Sequence, residues 1–248
     1  MDKNTKEYVG KIEAVKLVKK YGRNKVVDEV SITVNTGEVI GLLGPNGAGK
    51  TTAFSIMVGL IKPDKGIIML DSKDITRLPM HIRGRMGISY LPQEPSIFRM
   101  LSVEDNIRAI LEIVYNSKNE IDSRLHSLLD ELNISHIAKK RATAISGGER
   151  RRVEITRTLA TNPSFILFDE PFAGIDPISI TELQKIIAGL KTKGLGILLS
   201  DHNVRDALSI VDRAYVIHKG KVIVSGSPDD IVGNELAREV FFGEDFSI

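Results

Sequence analysis

The chain has 248 residues, with 34 Lys and Arg against 32 Asp and Glu, and a net charge of +2 does not mark a dedicated nucleic-acid binder. Apolar residues make up 42% and charged ones 27%, which excludes bulk disorder and suits one large soluble domain, or one with a lobe. Absent cysteines rule out disulfides and thiol chemistry, the five histidines show no metal-ligand spacing, and neither a membrane-length apolar run nor a signal-peptide pattern occurs, so a reducing cytosol is expected.

In chain order, residues 12–18, 26–34 and 66–70 read as β segments separated by turns such as Lys62-Pro63-Asp64-Lys65-Gly66, predicting an antiparallel layer on the N-terminal side. Three short apolar stretches, Val39–Leu43, 165–168 and 197–199, lack polar alternation, as expected of strands covered on both faces of a parallel sheet. From about residue 95 to 162 the pattern changes. Val103, Ile107, Ile110, Leu111 and Val114 predict a helix opening at Ser102, and Ile121, Leu125, Leu128, Leu129 and Leu132 another, so this block reads as a helical insert. Ile180, Leu183, Ile187 and Leu190 predict a helix ending near Gly194, a hairpin turns at Lys219-Gly220-Lys221, and a helical tail carries Phe241, Phe242 and Phe246. Those phenylalanines either pack on their own subunit, the favoured reading, or seal a dimer.

Gly44-Pro45-Asn46-Gly47-Ala48-Gly49-Lys50-Thr51 matches GxxxxGK[ST] between an apolar strand and a helical stretch at 52–60. Glycines let backbone N–H groups surround phosphate oxygens, and the helix adds its positive end. The candidate nucleotide ligands are Gly44, Asn46, Gly47, Gly49, Lys50, Thr51 and Thr52, with Lys50 on the β and γ phosphates and Thr51 also on Mg²⁺. The bland reading is a plain Gly-rich strand-to-helix turn. Apolar residues 165–168 lead into Asp169-Glu170, at the strand end where parallel sheets hold ligands. Asp169 is expected to hold the metal through its water shell and Glu170 to polarise the attacking water; an acid pair that merely caps a turn is the alternative. Ser146-Gly147-Gly148-Glu149 can be a capping box, yet the paired glycines also suit an exposed helix start approaching a phosphate. Arg150, Arg151 and Arg152 spread around a helix beside Glu149 and Glu154 and read as a solvated face.

Phosphate loop, Ser-Gly-Gly-Glu and Asp-Glu, in this order, resemble the ATP-binding cassette ATPases over nearly the whole chain. That resemblance implies an α/β fold: a P-loop NTPase core, a mixed or parallel sheet with helices on both faces, plus an antiparallel β layer and an inserted α-helical subdomain. Residues 1–248 would form one ATPase domain, with 1–94 and 163–248 as the nucleotide-binding core and 95–162 as the helical subdomain. It further implies a head-to-tail dimer holding two ATP, with Ser146 and Gly148 reaching the partner's nucleotide. Matching positions put Tyr21 on adenine, Gln93 beside Mg²⁺ and the attacking water, Asp176 in the loop crossing the dimer, and His202 on the γ phosphate. The alternatives are a strand-end aromatic for Tyr21, a helix cap for Asp176 and a structural histidine for His202.

Only 96 positions separate Lys50 from Ser146 and 46 follow His202, which leaves a single-cassette transport motor as the expectation. The stretches Leu91 to Arg99, Gly147 to Ile155 and Phe168 to Pro177, and the ending Gly243-Glu244-Asp245-Phe246, are similar to the ATPase subunit of lipopolysaccharide export systems. Met100 departs from that family, which carries a second basic residue there. The similarity implies two copies on the cytoplasmic face of the bacterial inner membrane, bound only through two transmembrane subunits, Phe98 serving as apolar anchor and Arg99 as charge partner unless Phe98 packs inside its own lobe. An importer motor for branched-chain amino acids is the runner-up, and a soluble ATPase acting on ribosomes or DNA, or an ATP clamp, a more distant one.

Overall fold

The computed structural model describes residues 10–241. A first sheet joins β1 (Lys11–Tyr21), β2 (Asn24–Asn35), β4 (Lys65–Leu70) and β5 (Lys73–Asp74) in the order β2-β1-β4-β5, all antiparallel. Between β2 and β4 come β3 (Val39–Leu43) and the helix α1 (Lys50–Val58). After β5 follow α2 (Met80–Arg85), β6 (Ile88–Leu91) and three longer helices: α3 (Val103–Val114), α4 (Lys118–Glu131) and α5 (Gly147–Leu159). The chain continues through β7 (Phe165–Asp169), α6 (Pro177–Thr192), β8 (Gly196–Asp201), α7 (Val204–Leu208), β9 (Arg213–His218), β10 (Lys221–Gly226), α8 (Pro228–Gly233) and α9 (Glu235–Phe241).

A second sheet has the order β10-β9-β3-β8-β7-β6, parallel except for the β10 edge. Every residue of β3, β7 and β8 is buried, as unalternating apolar strands require when both sheet faces are covered. Because side chains alternate, these strands feed two separate cores. Ile40, Leu42, Phe165, Leu167 and Leu198 pack with α1 and the first sheet. Val39, Leu43, Ile166, Phe168, Ile197 and Leu199 pack with residues of α3, α4, α5 and α6. The helical segment is therefore anchored to the core by one face of the parallel sheet.

Local chemistry explains the boundaries. Ser102 caps α3 by accepting from the Asp105 N–H, and Lys219 and Gly220, both at positive φ (47° and 81°), make the tight β9–β10 turn that a hairpin favours. The phosphate-loop helix begins at Lys50, two residues earlier than the sequence suggests, and stops at a left-handed Gly59. The short elements α2 and β6 carry no clear periodic signal. Phe241 packs against the second core of its own chain; Phe242, Phe246 and the Gly243-Glu244-Asp245-Phe246 ending lie outside the described residues.

Candidate functional site

The phosphate loop leaves β3 in the middle of the parallel sheet, between β8 and β9, where the strand ends open a crevice. At Gly49 (φ 110°) a Cβ would stand 2.3 Å from the Val26 carbonyl oxygen, so only glycine lets the loop fold against β2. Gly49 offers no side-chain cap to α1, which leaves the first N–H groups of the helix without a side-chain acceptor. Lys50 is 4% exposed and donates to the carbonyls of Gly44 (2.6 Å) and Pro45 (3.2 Å). Burial lowers its pKa, while Glu170, Asp169 and Asp201 act in the opposite direction. Asn46, Gly47, Gly49, Lys50, Thr51 and Thr52 line a cavity of about 560 Å³ together with Val26, Gln93, Glu170, Ala173 and His202. Gly44 does not line it, and its carbonyl accepts from Lys50.

Glu170 is 7% exposed and occupies the left-handed region at φ 46°, a conformation that costs a non-glycine residue about 1–3 kcal/mol and persists only when its surroundings hold it. Its N–H is fixed by the Ser200 carbonyl (3.0 Å) and hydroxyl (3.1 Å). Oε2 accepts from Gln93 Nε2 at 2.9 Å and lies 3.3 Å from His202 Nδ1, while Oε1 is 4.0 Å from Lys50 Nζ. Asp201 directs the chain toward this point by accepting the N–H groups of Asn203 (2.8 Å) and Phe172 (3.3 Å); burial raises its pKa.

Asp169 is fully buried and does not itself line the cavity. Its carboxylate accepts from Ser200 Oγ at 2.5 Å and Tyr90 OH at 3.2 Å. Burial, and then Asp169, push the Tyr90 phenol above its ordinary pKa. Neither partner stands out in the sequence. Their signal is positional: Ser200 pairs with Asp169 in the β7–β8 register, and β6 puts Tyr90 on the other neighbouring strand.

Ser146, Gly148, Asp176 and Tyr21 do not line this cavity. Ser146 and Glu149 form a reciprocal capping box, with Glu149 N–H on Ser146 Oγ (3.2 Å) and Ser146 N–H on Glu149 Oε2 (2.7 Å). A Cβ at Gly148 would lie 2.2 Å from Ser179 Oγ, so close helix packing within the chain already demands a glycine there. Gly148 therefore has a packing role within the chain beside the phosphate approach that the glycine pair suits. Asp176 caps α6, accepting from Ser179 N–H (3.0 Å) and Oγ (2.7 Å). Tyr21 stands exposed at the end of β1, with Lys19 Nζ 5.8 Å from the ring centre.

The segment after Gln93 is held by its backbone. Asn106, buried on α3, accepts from the Phe98 N–H (2.8 Å) and donates to the Phe98 carbonyl (3.0 Å). Glu154 Oε1 accepts from Ser96 N–H at 2.8 Å, and Arg157 donates to the Ser96 carbonyl at 2.6 Å. The Phe98 side chain is 47% exposed, its covered part facing the Arg157 guanidinium of α5, which lies 4.5 Å from the ring centre. Arg99 beside it is exposed.

The arginine triplet requires a correction. Arg152 pairs with Glu182 at 3.2 Å near the surface, but Arg151 is only 7% exposed and points inward to backbone carbonyls of the site. Successive helical residues point about 100° apart, so the three cannot share one solvated face.

Residues 27–173 match the ABC transporter family. A lipopolysaccharide export system ATP-binding protein, LptB of Acidithiobacillus ferridurans, is 54% identical across 96% of this chain and 98% of its own. Among solved structures, the ADP conformation of MJ1267, an ATP-binding cassette of an ABC transporter, superposes with a TM-score of 0.87 at 30% identity, over 95% of this chain and 99% of that one. A dimeric post-hydrolysis structure of the cassette MJ0796 bound to ADP and phosphate shares the fold, with a TM-score of 0.78 at 23% identity over 88% and 98%. With its nucleotide cavity on the phosphate loop and this family match across most of its core, the chain belongs to the ABC transporters as an ATP-binding cassette ATPase.

Proposed function

We propose that the chain is the motor subunit of a transporter that extracts lipopolysaccharide from the bacterial inner membrane for export, working as two head-to-tail copies beneath two transmembrane subunits on the cytoplasmic face. One observation carries the two-copy reading: Ser146 and Gly148 stand outside the cavity that gathers Lys50, Gln93, Glu170 and His202, so their approach to a nucleotide calls for a second chain. The cargo reading rests on the similarity to LptB, and the coupling reading on Phe98, whose backbone is clamped while its ring stays half exposed. Among the described residues no helix is long and apolar enough to cross a membrane, so attachment is assigned to the partners.

In the proposed cycle the N–H groups at the start of α1 and Lys50 hold the phosphates, and Tyr21 stacks on the adenine. The Thr51 hydroxyl and the Gln93 amide oxygen are hard donors on the cavity wall, with Asp169 behind them, a set that suits Mg²⁺. When bound, Mg²⁺ neutralises charge on the phosphate oxygens. Water attacks the γ phosphorus in line, the bond to the β-phosphate oxygen breaks, and the Glu170 carboxylate takes the water proton while Gln93 and His202 fix its position. Asp176 lies at the start of α6, beside Gly148, where it would border the second copy. Binding closes the pair; loss of the γ-phosphate contacts reopens it, and the segment from Gln93 to Arg99 passes the change to the membrane subunits.

The test is affinity capture of the chain from native membranes, identifying attached proteins and lipid. Two integral membrane subunits with lipopolysaccharide are expected. Partners of an amino-acid importer overturn the cargo, and capture with no membrane protein overturns the motor role.

A further inference from the structure

Arg151 and Glu154 stand three residues apart on one face of α5, the helix whose first turn holds Ser146 and Gly148, and both are buried. The Arg151 guanidinium touches four backbone carbonyls and one carboxylate. Nη1 donates to Pro92 O at 3.1 Å, Nε to Pro171 O at 3.2 Å, Nη2 to Glu170 O at 3.3 Å and to Asp169 O at 3.4 Å, and Nη1 also reaches Glu154 Oε2 at 3.3 Å. Two of these carbonyls bracket the reacting groups. Pro92 immediately precedes Gln93, and Glu170 is the left-handed residue whose carboxylate accepts from Gln93. One planar group therefore sets the backbone at both ends of the Gln93–Glu170 hydrogen bond. Glu154 extends the hold by accepting the Ser96 N–H, two residues before Phe98.

We propose that Arg151 is a positioning residue for hydrolysis: from α5 it fixes the backbones of Glu170 and of Pro92 together, and through Glu154 it ties both to the segment that presents Phe98. The inference rests on the reading of Glu170 as the base. Its consequence is that displacement of α5, whose N-terminus would face the second copy's nucleotide, is felt in the same chain by the catalytic carboxylate and by the docking segment at once. A planar fork suits this task because its donors are held in one plane, whereas a lysine offers a single point charge.

The test is steady-state and single-turnover ATP hydrolysis by the full-length chain carrying Arg151→Met or Arg151→Lys, alone and combined with Glu170→Gln. Misplacing a reacting group by an ångström costs roughly a hundredfold, so Arg151→Met should lower kcat about 10- to 100-fold and Arg151→Lys somewhat less, with ATP KM within about twofold of the parent. In the Glu170→Gln background Arg151→Lys should alter the residual single-turnover rate less than about twofold, because the group it positions has lost its function. A purely structural tie would instead lower thermal stability and slow both backgrounds equally. Should Arg151→Met fail to fold, Arg151→Lys keeps a cation opposite Glu154 and carries the test. A folded Lys variant with parental kcat, or an equal fold-loss in both backgrounds, overturns the proposal. Full activity of the Glu170→Gln single variant overturns the underlying reading instead, and is recognised without any Arg151 variant.

Discussion

Gln93 donates its amide N–H to Glu170 Oε2 across 2.9 Å, on the side of the carboxylate that His202 Nδ1 approaches to 3.3 Å. One carboxylate oxygen thus faces an amide and an imidazole, and the other faces Lys50 at 4.0 Å. This geometry supports the proposed reading of Glu170 as a general base, held between a cation and its orienting neighbours.

Glu170→Gln keeps the shape of the side chain and removes its charge and basicity. Hydrolysis should fall at least about a hundredfold, the usual reach of general-base catalysis, while ATP affinity stays near the parental value. Parallel ATP titration and single-turnover assays check this; a Gln variant that hydrolyses ATP normally excludes Glu170 as the base.

Ser146→Asp separates the two roles available to the serine. Aspartate caps a helix as well as serine does, so the melting temperature should shift by no more than about 2 °C, against a loss of about 1 kcal/mol for Ser146→Ala. The added anion would face the partner's phosphates, so hydrolysis and nucleotide-dependent dimer formation should collapse in the Asp variant. Calorimetry beside analytical ultracentrifugation reads both; an active, dimerising Asp variant refutes contact with phosphate.

Phe98→Ala removes the exposed ring and leaves its backbone clamp on Asn106 in place. The isolated chain should bind ATP normally, while assembly with the membrane subunits and transport should drop, since truncating an aromatic anchor commonly costs 2 kcal/mol or more, about a thirtyfold loss. Co-purification yield and transport in the reconstituted complex measure it; normal assembly would rule the anchor out.

Glu38 supplies an acid-sensitive contribution to stability. Burial pushes its carboxyl upward, but bonds from Arg213 and from the side chain and backbone of Asn35 outweigh that and hold its pKa below the ordinary 4.5. Its folded form therefore favours the carboxylate: the contribution is complete above the unfolded pKa and disappears as pH falls through the lower folded value. Glu38→Gln should cost about 1 kcal/mol at pH 7, allowing for solvent screening, or about 2–4 °C, and almost nothing near pH 3. Melting curves at the two pH values decide; an equal deficit at both contradicts the assignment.

Contiguous features are legible in the sequence itself. The phosphate loop spans eight successive residues, the unalternating strands Val39–Leu43 and 165–168 declare two covered faces, and Lys219-Gly220 marks its own turn. What escaped depends on residues meeting across the fold. Tyr90 and Ser200 come to Asp169 only through strand order, and nothing in the local pattern of β6 signals it. Arg151 was hidden among charges, because helix geometry states that three neighbours diverge without stating which one turns inward. Gly148 and Asp176 each admit a within-chain explanation, the packing of Ser179 and the cap of α6, that a linear motif does not reveal.

The bidentate grip of Asn106 on Phe98 has an evolutionary corollary. Since this side chain satisfies both main-chain groups of residue 98, the peptide there keeps its course whatever ring or aliphatic group it bears. On the proposed docking role, residue 98 would be an interchangeable fitting on a fixed mount: a different side chain there would change the match to a membrane companion without shifting the main chain behind it.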